Sequence, residues 1–86
     1  MHPNRQTLLE LCYEDLILFE NPSYDAAIIG VSTDNQVIYD YNKMIGCLMD
    51  EDGMTYEEAI DFIDYNTIRM IPYIGAGAPI VMYDIT

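Results

Sequence analysis

Seven carboxylates stand between residues 50 and 66 with no basic residue among them: Asp50, Glu51, Asp52, Glu57, Glu58, Asp61 and Asp64, in "DEDGMTYEEAIDFIDYN". Side chains of this type can ligate a divalent cation, share a proton as an acid–base pair, or meet the Lys and Arg of a partner. Spacing helps to separate the three. An EF-hand loop places oxygen ligands at positions 1, 3, 5 and 12 and a glycine at 6. Counted from Asp50, the glycine falls too early, at Gly53, and Met54 and Thr55 occupy the next two positions. That excludes an EF-hand and leaves at most weak divalent binding. A pair such as Asp61 and Asp64 could exchange protons, but acids crowded on an exposed helix rarely lie in the dry pocket that such catalysis needs. Glu57, Asp61 and Asp64 are spaced i, i+4, i+7, on one helical face. At about 1.5 Å of rise per residue they span roughly 10 Å, a length over which one DNA strand presents about three phosphates. All seven acids are therefore expected to bind a partner by charge complementarity. Glu10, Glu14 and Asp15 form a second, smaller acidic cluster. The competing reading is a solvated helix face in an acidic protein.

Other chemistries find few residues. His2 is the single histidine, so nucleophile–histidine pairs and structural zinc are poorly supplied. Cys12 and Cys47 lack C-x-x-C spacing and read as two buried thiols, with a disulfide as the alternative. "GAGAP" at 75–79 superficially resembles a phosphate-cradling loop. It runs into a strand instead of a helix and has no lysine nearby, so a flexible structural loop is expected, with ligand contact as the alternative. The expectation is no enzyme, no cofactor and no resident metal.

The positioning elements follow from pattern and punctuation. A first helix is expected over 4–19, from Leu8, Leu11, Cys12, Leu16 and Phe19 at helical spacing. "ENPSYD" ends it, since the residue before Pro22 resists helical geometry. "DAAIIGVST" (25–33) and "VIYDY" (37–41) read as strands joined at "TDNQ". Residues 41–50 read as a helix with Ile45, Leu48 and Met49 inward, weakened by Gly46. Thr55 and Glu58 make a capping box that opens a third helix from Tyr56 to about Arg69. Its inward face is Ala59, Ile60, Phe62, Ile63 and Ile68. A loop over 72–79 and a strand over 80–85 close the chain. The predicted fold is one α+β domain over 1–86, in the order α-β-β-α-α-β, with a three-stranded antiparallel sheet.

Charge bounds the partners. Fifteen acids against three basic residues give a formal net charge of −12 over 86 residues. Direct nucleic-acid binding and anionic membranes are disfavoured, and a basic protein is favoured. The N-terminus lacks the pattern of a signal peptide and no apolar run is long enough for a membrane span, so a cytoplasmic location is expected. Eight tyrosines and six methionines supply adaptable apolar surface, for a core, for a partner or for a homodimer.

"YDAAIIGV", "VIYDYNKMIGCLMDEDGMTYEEAIDFIDYN" and "GAGAPIVMYDI" together resemble a group of short proteins encoded by bacteriophages. That group pairs a "D-x-A-x-I-G-V" strand with a "Y-D-Y-x-K" segment and a "D-G-M-T-x-E-E-A" helix start. The likeness covers roughly residues 24–85 and carries no residue roles. It implies an accessory protein acting in the cytoplasm of an infected bacterium. By charge the chain is also similar to DNA-mimic anti-CRISPR and anti-restriction inhibitors. The expected function is inhibition of a host defence complex, a CRISPR effector or restriction-type nuclease, by an acidic face that occupies its nucleic-acid groove. Two alternatives stand beside it: capture of a nucleotide signal through the 75–79 loop, and a homo-oligomeric structural or assembly role.

Overall fold

A computed structural model describes residues 3–10, 16–20 and 22–85, the side chains of 5, 9 and 10 excepted. The central strand of its sheet is β2 (Val37–Asp40), with β1 (Ile28–Val31) on one side and β3 (Ile80–Met82) on the other. β1 and β2 form the expected antiparallel hairpin. Its turn is closed by the Ser32 N–H donating to the Gln36 carbonyl at 2.8 Å, with Asn35 at φ 60. Asn is among the few residues that tolerate that left-handed conformation. The register slips between Ile28 and Gly30, a bulge in β1.

β3 runs parallel to β2, Ile38 opposite Ile80 and Asp40 opposite Met82, so the sheet is mixed and the expectation of an all-antiparallel sheet is overturned. The physical reason lies in the connection. The connection between β2 and β3 carries helices and is long enough for the crossover that a parallel pair requires, which a short hairpin turn could not supply. Gln36 ties this junction from the side, its Nε2 donating to the Ala78 carbonyl at 2.8 Å.

Four α-helices, α1 (Pro3–Glu10), α2 (Tyr41–Asp52), α3 (Tyr56–Phe62) and α4 (Arg69–Ile74), are described. A π-helical segment, Ile63–Ile68, joins α3 to α4, so the two continue as one long helix. The first helix is shorter than expected: Leu16–Glu20 are not helical. Leu16, Ile17, Leu18 and Phe19 are four successive apolar residues, all at least half buried, which suits an extended chain sandwiched on both sides better than a one-sided helix. The Phe19 N–H donates to the Tyr39 hydroxyl at 3.0 Å, pinning this segment across the core. The first expected strand also starts later, because Asp25–Ala27 form a 3-10 turn.

α2 begins where Asp40 turns its side chain back, Oδ1 accepting from the Lys43 N–H at 3.0 Å. That N-cap explains how a carboxylate is tolerated at 4% exposure. The helix buries Tyr41, Met44, Ile45, Cys47 and Leu48, while Met49, expected inward, is 40% exposed. Gly53, at φ 67, ends it, and the N–H groups of Gly53 and Met54 both reach the Leu48 carbonyl. The predicted capping box at Thr55 and Glu58 is present in both directions, at 3.0 and 3.2 Å. The long helix passes Arg69 and runs through Pro72 to Ile74, so the loop expected from 72 begins at 75. The wide turn ends at Ile68, whose carbonyl an α-helical N–H at position 72 would have met; it takes up the misfit of the proline.

The core lies between β2, α2 and the long helix. Val37, Tyr39, Met44, Leu48, Ala59 and Ile63 are at most 1% exposed, and Tyr24 and Ala27 join them from the turn before β1. Each large apolar side chain so buried contributes about 1.5–3 kcal/mol. Ile60, Phe62 and Ile68 pack against that core but remain partly exposed, at the margin of the long helix.

Candidate functional site

All seven carboxylates of the 50–66 stretch are exposed. Asp50, Glu51 and Asp52 form the last turn of α2, where no basic residue accompanies them. The negative end of the helix dipole makes this an unfavourable place for acids, costing about 0.3–1 kcal/mol each. Glu57 and Glu58 stand at the favourable, N-terminal end of α3. The Thr55 backbone N–H, donating to Glu58, holds that carboxyl below the usual range.

The turn at Gly53 brings the end of α2 and the start of α3 together, and so gathers part of the acidic set around two apolar residues. One depression of about 570 Å³ is lined by Glu20, Glu51 and Asp52 together with Met54 and Phe62. A neighbouring one of about 400 Å³ is lined by Glu58, Asp61, Tyr65 and Asn66, again with Met54 and Phe62. Glu51, Asp52, Glu58 and Asp61 thus rim a shared floor of Met54 and Phe62. Glu20 joins them, a residue that sequence reasoning missed because thirty positions separate it from Glu51 and only the tertiary fold joins them.

Asp64 has a different role. Its Oδ1 accepts a hydrogen bond from the Tyr41 hydroxyl at 2.8 Å. Tyr41 is buried and packs against Tyr83 with the rings tilted by 49° and their centroids 4.9 Å apart. Desolvation, then the Asp64 carboxylate, push the Tyr41 hydroxyl well above its ordinary value. Asp64 therefore fastens the long helix to the start of α2, and the three-phosphate row expected from Glu57, Asp61 and Asp64 is divided between two surroundings. Glu14 and Asp15 of the second acidic cluster lie outside the described residues, as does the side chain of Glu10.

No family model, curated protein or solved structure matches this chain. What the surface can do therefore rests on its own geometry. Among the described residues, no three His, Cys, Asp or Glu side chains are grouped closely enough to hold a metal ion. Among them, too, no helix is long and apolar enough to cross a membrane. Cys47 is buried in the core, where desolvation pushes its thiol up; Cys12 lies outside the described residues.

The glycines of 75–79 make a corner. Gly75 and Gly77 take φ 88 and 85, the Ala78 N–H closes on the Gly75 carbonyl at 3.2 Å, and Ala78 and Pro79 are buried. These backbone angles need glycine to turn the chain into β3. The tyrosines divide: Tyr24, Tyr39 and Tyr41 belong to the core, whereas Tyr56, Tyr65, Tyr73 and Tyr83 are exposed. Arg69 caps one of the exposed rings, its guanidinium 4.8 Å from the centre of Tyr65.

Proposed function

We propose that this protein inhibits a bacterial defence complex, in the manner of small acidic phage proteins, by seating its acidic surface on a basic nucleic-acid-binding groove. The observation that carries the reading is the clustering of four exposed carboxylates, Glu51, Asp52, Glu58 and Asp61, around the partly buried Met54 and Phe62. A groove lined with Lys and Arg for phosphates attracts a protein of net charge −12 by the same field, with fast and salt-dependent association. The placement of Asp50, Glu51 and Asp52 at the wrong end of the α2 dipole supports it further: their positions cost stability locally, as binding residues often do. The resemblance to phage-encoded proteins supplies the setting, the cytoplasm of an infected bacterium. The partner is a CRISPR effector or a restriction-type nuclease.

The test is DNA cleavage by such a purified complex with the protein in excess. Wild type should suppress cleavage. The fourfold variant Glu51→Gln, Asp52→Asn, Glu58→Gln, Asp61→Asn should lose at least about tenfold in potency, about 1.4 kcal/mol of binding. Gln at 58 keeps the capping-box pattern, so the variant should stay folded. Undiminished inhibition by the folded variant would reject the reading.

A further inference from the structure

Three depressions meet at Phe62. Besides the two acidic ones, a third of about 280 Å³ runs between the 18–22 segment and the long helix, lined by Leu18, Pro22, Phe62, Met70 and Ile74. It shares Glu20 and Pro22 with the first depression and Asn66 with the second. The three adjoin around Phe62 and together border the long helix as a trough, acidic toward Met54 and apolar toward Met70 and Ile74.

We infer that this trough takes a basic amphipathic α-helix of the partner protein. The inference rests on the reading of the acidic surface as a partner-binding face, and adds what the partner presents to it. Charge complementarity selects the basic side: Glu51, Asp52, Glu58 and Asp61 meet Lys or Arg side chains. The floor selects the apolar stripe. A surface that imitated phosphates alone would have no use for Met54, Phe62 and Met70, of which Met70 is 59% exposed. Unbranched methionines adapt to the side chains laid on them, and helix-in-groove recognition uses apolar anchors at helical spacing. On the long helix the lining residues run from Glu58 to Ile74, about 24 Å at about 1.5 Å per residue, room for about four turns of a partner helix.

The test uses the full chain and two synthetic peptides of about 20 residues with one composition of Leu, Lys and Arg. In one, the leucines fall at helical spacing; in the other, they are scrambled. Binding is followed by fluorescence anisotropy and by the methyl resonances of labelled methionines. The amphipathic peptide should bind at least about tenfold more tightly and shift the Met54 and Met70 methyls. Met70→Gln should weaken it several-fold and leave the scrambled peptide unaffected. Equal binding of both peptides, with the Met70 methyl unmoved, would overturn the groove and leave the acidic-surface reading intact. Binding of neither at low salt would overturn both.

Discussion

Tyr41 and Cys47 hold their protons more tightly in the folded protein than their ordinary values of 10.0 and 9.0 allow, chiefly because burial disfavours the charged forms. Tyr24 does the same, because its burial outweighs the opposing effect of the hydrogen bond with the Thr67 hydroxyl at 2.8 Å. Groups with raised folded values stabilise fully below the unfolded values, and that contribution is lost as pH rises through the folded ones. Stability should thus fall from about pH 9 upward, with Cys47 leading and the tyrosines following. Urea unfolding at about pH 7 and about pH 11 measures this, and Tyr41→Phe should make the decline shallower. An equally steep decline in the variant would contradict the assignment. At neutral pH the same substitution should cost about 1 kcal/mol, from the lost bond to Asp64. Cys47 should also resist alkylation in the native state and react only on unfolding, which mass spectrometry of the digested protein reads out. The roles of Asp64 and Asp40 were not legible in the sequence. Asp64 fitted an exposed row by spacing, and only the tertiary approach of α2 to the long helix turns it toward Tyr41. Asp40 read as part of the strand expected over 37–41, although it caps the helix that follows.

Among the elements, the two glycines of the α2 region make opposite predictions. Gly46 lies inside α2, and an added Cβ there would meet nothing within 4 Å. Gly46→Ala should therefore stabilise by about 0.5–1 kcal/mol, from helix propensity and a more restricted unfolded chain. Gly53 ends the helix at φ 67. Gly53→Ala should destabilise by about 1–2 kcal/mol, since a side chain disfavours that backbone region. Paired thermal melts decide the matter: shifts of the same sign would be inconsistent with this account of the helix. The sequence made α2, the capping box and the hairpin readable, because each is specified by neighbours a few residues apart. It left β3's direction unread, since a parallel pairing depends on how the helices between Asp40 and Ile80 fold back. The Leu16–Glu20 segment fitted helical spacing only if its unbroken apolar run was overlooked. The loop expected from residue 72 is helical as far as Ile74, with Pro72 inside the helix and a π-helical segment just before it that relieves the proline's misfit.

The whole molecule sets a stability cost against a binding surface. Three basic residues cannot offset fifteen acids, and the acids at the end of α2 oppose its dipole. Neutralising them with Asp50→Asn, Glu51→Gln and Asp52→Asn should raise the unfolding free energy, by about 1–2 kcal/mol at low salt, and should reduce partner binding. A loss of stability would reverse the argument that function maintains them. The acidic character of the molecule was fully legible from composition. Its division into a rimmed trough and a Tyr41-bonded residue was not, because the Gly53 turn and Glu20 bring together positions far apart in sequence. The most direct measurement is capture from a bacterial lysate by the tagged wild-type protein beside the Glu51→Gln, Asp52→Asn, Glu58→Gln, Asp61→Asn variant, washed at about 0.1 M and then about 1 M salt. The account predicts a nucleic-acid-handling protein held by wild type at low salt, largely released at high salt, and absent from the variant. The same protein retained equally by both would contradict it.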